Sequence, residues 1–164
     1  MTIEIRRIDY GDPRAVAIRD AMDSEMFALY EGIEEGQSEE TMAAVERALV
    51  VHPEAMVATV GAFDGEKLVG HAALRPAEDA DGAEALEVKR VIVLPEYRGH
   101  GISKRVMAEL EVIAQERGVN RLILQTGDRQ IEAIALYVGI GYRPIPRFGL
   151  YAPVPFFLCY GKTL

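Results

Sequence analysis

Apolar positions along this chain change period several times, and each change predicts an element. Ile3, Ile5 and Ile8, interleaved with Glu4, Arg6 and Arg7, predict a half-buried strand. Asp12-Pro13 then supplies a cap followed by proline at the first helical position, and Val16, Ile18, Met22, Met26, Phe27 and Tyr30 extend a helical stripe to about Tyr30. Gly32 to Gly36 is a Glu-rich break, and Ser38 before Glu39, Glu40 and Thr41 predicts a second capped helix, closed by His52-Pro53. From Ala55 to Phe63 the pattern is that of a strand, Asp64-Gly65 is a hairpin turn, and Leu68 to Leu74 returns. The acidic tract Pro76 to Ala83 is expected to be a loop.

Glu87 to Leu94 forms the next strand, with Val91, Ile92 and Val93 as an unbroken apolar run that suits burial on both faces. After Arg98-Gly99-His100-Gly101-Ile102-Ser103, the residues Ile102, Val106, Met107, Leu110, Ile113 and Ala114 keep helical spacing up to Gly118, and Leu122 to Leu124 is a second buried strand. Strand, helix and strand in this order predict a right-handed parallel crossover. Ile131 to Val138 is expected to be a short helix, with final strands at Tyr142 to Ile145 and Phe156 to Lys162.

Composition bounds the class without altering this outline. With 164 residues, 49% hydrophobic and 27% charged, the chain is expected to be a single domain spanning 1–164. Cys159 is its only cysteine, so an internal disulfide is excluded and a small buried hydrophobe is the expected role. No apolar run is long enough for a membrane span, and the charged N-terminus lacks a secretory h-region, so a cytoplasmic location is expected. A net charge of −8 argues against binding to nucleic acid. The charge is uneven: residues 1–80 hold 7 Lys/Arg against 17 Asp/Glu, and residues 81–164 hold 11 against 9. On this count the N-terminal half favours a cationic ligand, and the other half tolerates phosphate.

The turn from Arg98 to Ser103 carries the chemistry. Glycines ahead of a helix leave its first N–H groups uncovered at the positive end of the dipole, a cradle for phosphate. A Walker loop would need a Gly-Lys-Ser/Thr ending, and a Rossmann turn a third glycine where Lys104 stands. Neither fits.

What fits is the Arg/Gln-x-x-Gly-x-Gly/Ala pattern after a strand. Pro95-Glu96-Tyr97-Arg98-Gly99-His100-Gly101-Ile102, followed downstream by Ala135-Leu136-Tyr137 and Gly139-Ile140-Gly141-Tyr142, resembles the GCN5-related N-acetyltransferase superfamily. Ser103 stands where that family usually has glycine or alanine, and Gln130 where it usually has asparagine. The resemblance implies an α/β fold with a mixed, mostly antiparallel central sheet, a splayed parallel pair of central strands and flanking helices. It implies acetyl-coenzyme A as co-substrate and direct transfer of acetyl to the primary amine of a small molecule in a ternary complex. The rival reading is a non-catalytic acyl-coenzyme A sensor or regulatory protein.

By the same resemblance, the backbone of Arg98, Gly99, His100, Gly101, Ile102 and Ser103 holds the pyrophosphate, and Val91 and Val93 pair with the pantetheine arm. A backbone N–H near Val91 or Ile92 meets the oxyanion. Lys104 adds charge, Gln130 lies beside the cofactor, and Tyr137 is the general acid. Glu87, six residues before Val93, matches the glutamate base of the histone acetyltransferase branch, with Lys89 placed to pair with it. Strand alternation would put Glu87, Lys89, Val91 and Val93 on one side. Arg147 lies in a loop that the fold would bring near the acceptor, as an exposed loop arginine or, as the alternative, a contact for a substrate carboxylate; the acidic half suggests a polyamine, a lysine-like amine or an aminated antibiotic, and an amino acid acceptor read by Arg147 is the other reading. The apolar stretch Pro153 to Tyr160 offers a surface for a homodimer.

Overall fold

A computed structural model describes all residues from Met1 to Leu164. The strands are β1 (Ile3–Ile8), β2 (Ala58–Asp64), β3 (Lys67–Glu78), β4 (Glu84–Val93), β5 (Arg121–Gly127), β6 (Arg143–Ile145) and β7 (Phe157–Thr163). The helices are α1 (Pro13–Leu29), α2 (Glu39–Leu49), α3 (Ile102–Glu116) and α4 (Ile131–Gly139), with single 3-10 turns at Pro53–Ala55, Pro95–Tyr97 and Gly149–Tyr151. The strands form one sheet in the order β1-β2-β3-β4-β5-β7-β6. All neighbours are antiparallel except β4 and β5, which meet in parallel.

Local chemistry sets the ends of the helices. Asp12 accepts from the Arg14 N–H at 2.9 Å and Ser38 from the Thr41 N–H at 3.0 Å, each satisfying a donor that the first turn leaves open. The two faces of the sheet are then covered by helices in sequence order. α3 and α4 bury Val106, Met107, Leu110 and Tyr137 against Val60, Val69, Val88 and Leu122 on one face. On the other face, Ala15 and Ile18 of α1 meet Phe63, Leu68 and Ile92, while Ala44 and Ala48 of α2 meet Ala85, Ile123 and Tyr151. Cys159 belongs to this second layer, where burial pushes its thiol up to about 11, an inert packing role.

Three expectations change. Pro76 to Glu78 extend β3 instead of opening a loop, because they pair with Glu84 to Leu86 across a short turn. Val16 and Phe27, expected on the buried stripe of α1, are exposed, Phe27 at 83%, and the helix instead buries Ala15, Ile18 and the arginine Arg19. Strand alternation also fails in β4. Opposite His71 and Ala73, three steps of β4 from Lys89 to Ile92 match two of β3, so one residue is bulged out. Arg90, at φ 59, is the one non-glycine residue with positive φ.

The candidate active site

β4 and β5 begin as a parallel pair and then part. Only Leu86 with Leu122 and Glu87 with Ile123 are in register, so the edge of β4 facing β5 has no strand partner beyond Glu87. The parting opens a cavity of about 570 Å³. Val91, Ile92 and Val93 line it from β4, and Tyr97, Arg98, Gly99, Gly101, Ile102 and Ser103 from the turn that follows. Gln130, Leu136 and Tyr137 close the α4 side.

Gly101 caps α3 in the left-handed conformation (φ 73, ψ 12), and no side chain bonds to the first N–H groups of the helix. Gly99 has φ 80, and at both glycines a built Cβ would meet nothing within 4 Å. This is open space beside uncovered donors at the positive end of a helix, as a phosphate requires. The residues present therefore fit a ligand with a diphosphate at one end and an extended, amide-bearing arm along the β4 edge.

Around this cradle the side chains are mostly braces. Arg98 donates from Nε to the Val93 carbonyl at 2.9 Å and pairs through Nη2 with Glu25 at 2.7 Å, so its guanidinium ties the turn to α1. His100 is exposed beside the Tyr97 carbonyl, and Lys104 is exposed on α3. Neither side chain lines the cavity, though the backbone of His100 lies within the glycine turn that does. Ser103 does line it and makes no side-chain bond within the protein. α1 supplies a further wall through Met22, Glu25, Met26 and Leu29, with Arg129 opposite, side chains that no motif in the sequence singles out. Arg129 donates to the carbonyls of Leu29 and Glu31, and Tyr30 lies over Gly127 so closely that a Cβ there would sit 1.7 Å from the phenol oxygen. No local signal marks these residues, since they meet the cradle across some 70 to 100 positions of chain.

Tyr137 is buried on the α4 wall, and its hydroxyl has no partner in the protein. Burial pushes the phenol well above its ordinary range, so it carries its proton at neutral pH.

Glu87 lies elsewhere. The bulge at Arg90 reverses the alternation, so Val91 and Val93 face the α3 layer while Glu87 and Lys89 face the α2 layer beside Tyr151. Glu87 is 2% exposed; Arg75 donates to one oxygen at 2.7 Å and the Tyr151 hydroxyl to the other at 2.5 Å. Lys89 donates to the Tyr151 oxygen at 3.0 Å and stands 3.9 Å from the carboxylate. The expectation that Glu87 shares a side with Val91 and Val93 is thus overturned, and it does not line the cavity. Arg147 is an exposed loop arginine, donating to the carbonyls of Ala152 and Pro155 within its own loop.

The bulge itself is held from beneath. His71, fully buried in β3, bonds through Nδ1 to the Arg90 carbonyl at 2.8 Å and through Nε2 to Arg19 Nη1 at 3.0 Å. A carbonyl only accepts and a guanidinium only donates, so the imidazole is neutral with its proton on Nδ1. Burial pushes its pKa down to about 4, in keeping with that state.

A sheet parted between two parallel strands, with a glycine-opened helix N-terminus at one end of the gap and a protonated tyrosine on its wall, defines an α/β protein shaped for an extended phosphate-bearing ligand. The profile of the Acetyltransferase (GNAT) family matches residues 18–142, and the chain belongs to that family. Acetyl-coenzyme A is the co-substrate of this family. Among relatives, an IAA acetyltransferase of Azospirillum brasilense is 40% identical over 78 residues, covering 48% of this chain and 51% of that protein. The N-acetyltransferase 8B of Rattus norvegicus is 31% identical over 93 residues, 56% of this chain and 40% of that protein. The chain thus aligns with about half or less of these relatives. A Klebsiella pneumoniae protein assigned as an acyl-CoA N-acyltransferase shares the fold at a TM-score of 0.76 and 26% identity, covering 99% of this chain and 98% of that one. The PaiA N-acetyltransferase of Thermoplasma acidophilum, solved with coenzyme A, superposes over the whole of both chains at a TM-score of 0.68 and 19% identity, a likeness of fold.

Proposed function

We propose that this protein is an N-acetyltransferase that moves acetyl from acetyl-coenzyme A to the primary amine of a small molecule by direct attack in a ternary complex. The observation that carries the reading is the cavity running along the unpaired edge of β4 from the glycine N-terminus of α3 to the Tyr137 wall. The uncovered amides of Gly99 to Ser103 hold the diphosphate. Backbone groups of Val91 to Val93 take up the pantetheine amides in place of a strand partner, and an N–H of this stretch stabilises the oxyanion as the amine attacks. Tyr137, kept protonated by burial, gives its proton to the departing thiolate. The proton of the acceptor amine leaves through water, because the Glu87 carboxylate is enclosed by Arg75 and Tyr151 away from the cavity.

The test is thiol release from acetyl-coenzyme A across a panel of primary amines, with Tyr137→Phe beside the wild type. General-acid catalysis contributes roughly 10²–10⁴-fold, so the variant should lose about 100-fold in kcat while its affinity for acetyl-coenzyme A stays within a few-fold. If coenzyme A binds and no amine raises thiol release, the protein is an acyl-coenzyme A sensor and the catalytic reading is wrong.

A further inference from the structure

The glycine turn between β4 and α3 has little of its own to hold its shape. Gly99 and Gly101 both take positive φ, and glycine leaves such a conformation as easily as it enters it. The backbone N–H groups of Gly99, His100 and Gly101 have no backbone acceptor in the protein, so no ladder fixes the turn from within. The contact of His100 with the Tyr97 carbonyl is local, and the long-range anchor is Arg98. Its Nε donates to the Val93 carbonyl at 2.9 Å, and its Nη2 donates to Glu25 Oε2 at 2.7 Å, on α1 and 73 positions away. Both side chains of this pair line the cavity. Nη1 of Arg98 has no partner within the protein, so a guanidinium held at two points keeps donors for a ligand beside the uncovered amides.

We infer that Glu25 is a positioning residue for the coenzyme: through Arg98 it holds the turn, and the free Nη1 with it, in the arrangement that the diphosphate meets. This rests on the acetyl-coenzyme A reading of the cavity and adds to it a residue of α1 that acts without touching a phosphate. An arginine side chain is among the costliest to order, and one that is immobilised only on binding weakens a ligand by up to about tenfold. Glu25 and the Val93 carbonyl order this one beforehand. The same carboxylate brings a negative charge toward an anionic ligand, which works in the opposite direction. The side chains of the pair are 38% and 39% exposed, however, so water and salt screen that repulsion, and the guanidinium at 2.7 Å offsets it. Ordering is therefore the larger effect.

Calorimetric titration with coenzyme A and with pantetheine, which has the amide arm and no diphosphate, separates this role from that of a general brace. Glu25→Ala removes the anchor and should weaken coenzyme A by roughly 3–10-fold while leaving pantetheine within about twofold. Glu25→Gln keeps an acceptor oxygen at the same reach without the charge, and should stay within about twofold of the wild type for both ligands. In an Arg98→Met background, Glu25→Ala should change coenzyme A affinity no further, since the group it positions is gone. An equal fall for both ligands in Glu25→Ala means that Glu25 only fastens α1 to the turn, and overturns the inference. It is overturned as well by tighter coenzyme A binding in Glu25→Ala and Glu25→Gln, which marks the carboxylate as a repelling group, or by an undiminished effect of Glu25→Ala when residue 98 is methionine. No acceptor enters these titrations: if no amine releases thiol, the transferase reading fails, and the binding ratios still decide the role of Glu25.

Discussion

The bulge at Arg90 stands on His71, and replacing that histidine separates its two bonds. Asparagine can keep a donor near the position of Nδ1 and so the bond to the Arg90 carbonyl; glutamine can keep an acceptor near the position of Nε2 and so the bond from Arg19. Each change strands one buried polar group, at about 1–3 kcal/mol, with the larger figure for the charged guanidinium. At about 2–4 °C per kcal/mol for a chain of this size, either variant should melt about 2–12 °C below the wild type. Asparagine should retain more of the acetyl-coenzyme A affinity, because it still holds the bulge against the cavity. The pH dependence gives a separate magnitude. His71 is pushed down to about 4 in the fold, against about 6.5 when unfolded. The unfolded chain therefore binds the proton first, and stability contributed by the neutral ring is complete above pH 6.5 and lost as pH falls toward 4. Two and a half units correspond to about 3 kcal/mol, and both variants should lack that slope. Urea unfolding at several pH values between 7.5 and 4, with coenzyme binding by calorimetry, measures both effects. Parallel stability curves for wild type and variants, or equal coenzyme affinity in the two variants, would refute the bracket.

The other predictions concern the walls. Gly101→Ala should reduce stability by about 1–2 kcal/mol, since a side chain is forced into the left-handed conformation, and weaken acetyl-coenzyme A binding more than tenfold as the Cβ enters the cradle; thermal melts and calorimetry read the two. Gly127→Ala drives a Cβ into the Tyr30 phenol and should lower stability by about 1–3 kcal/mol, with partial rescue by Tyr30→Ala in a double-mutant cycle. Glu87→Gln removes the counter-charge of a buried cluster and should cost about 3–5 kcal/mol in urea unfolding; adding Lys89→Met should recover part of the loss.

The chemistry of the turn was legible because it is local. Helix caps at Asp12 and Ser38, the glycines at 99 and 101, and Tyr137 on its short helix all act through neighbours within a few residues. The face on which Glu87 lies was not, since it depends on a bulge centred on arginine, a residue with no preference for positive φ. Nor were its partners: Tyr151 is 64 positions away, and its 3-10 turn looked like loop. The α1 wall was hidden for another reason. A helix stripe reports which residues avoid water, but Met22 and Met26 face a cavity and Arg19 is buried through hydrogen bonds, so burial and hydrophobicity part company there.

The gap between β4 and β5 persists because the chain prevents it from closing. A strand edge with unpaired N–H and C=O groups normally recruits a partner, and β5 lies alongside. Three residues after the last paired position, however, β4 enters the bulge at Arg90, and the bulged peptide is fixed by His71 on one side. On the other, the Arg90 guanidinium reaches Asp23 and the Arg19 carbonyl, and Arg98 reaches Glu25, so α1 is tied to β4 before and after the apolar run. Arg129 and the close seat of Tyr30 on Gly127 tie the end of the same helix to the far end of β5. With α1 fastened to both strands, zipping them together would break the part-buried bonds at Arg90 together with several exposed contacts for a few ladder bonds worth about 1 kcal/mol each. The exposed edge is therefore held open by the fold, and an amide-bearing ligand can replace the missing strand without the protein having to reorganise.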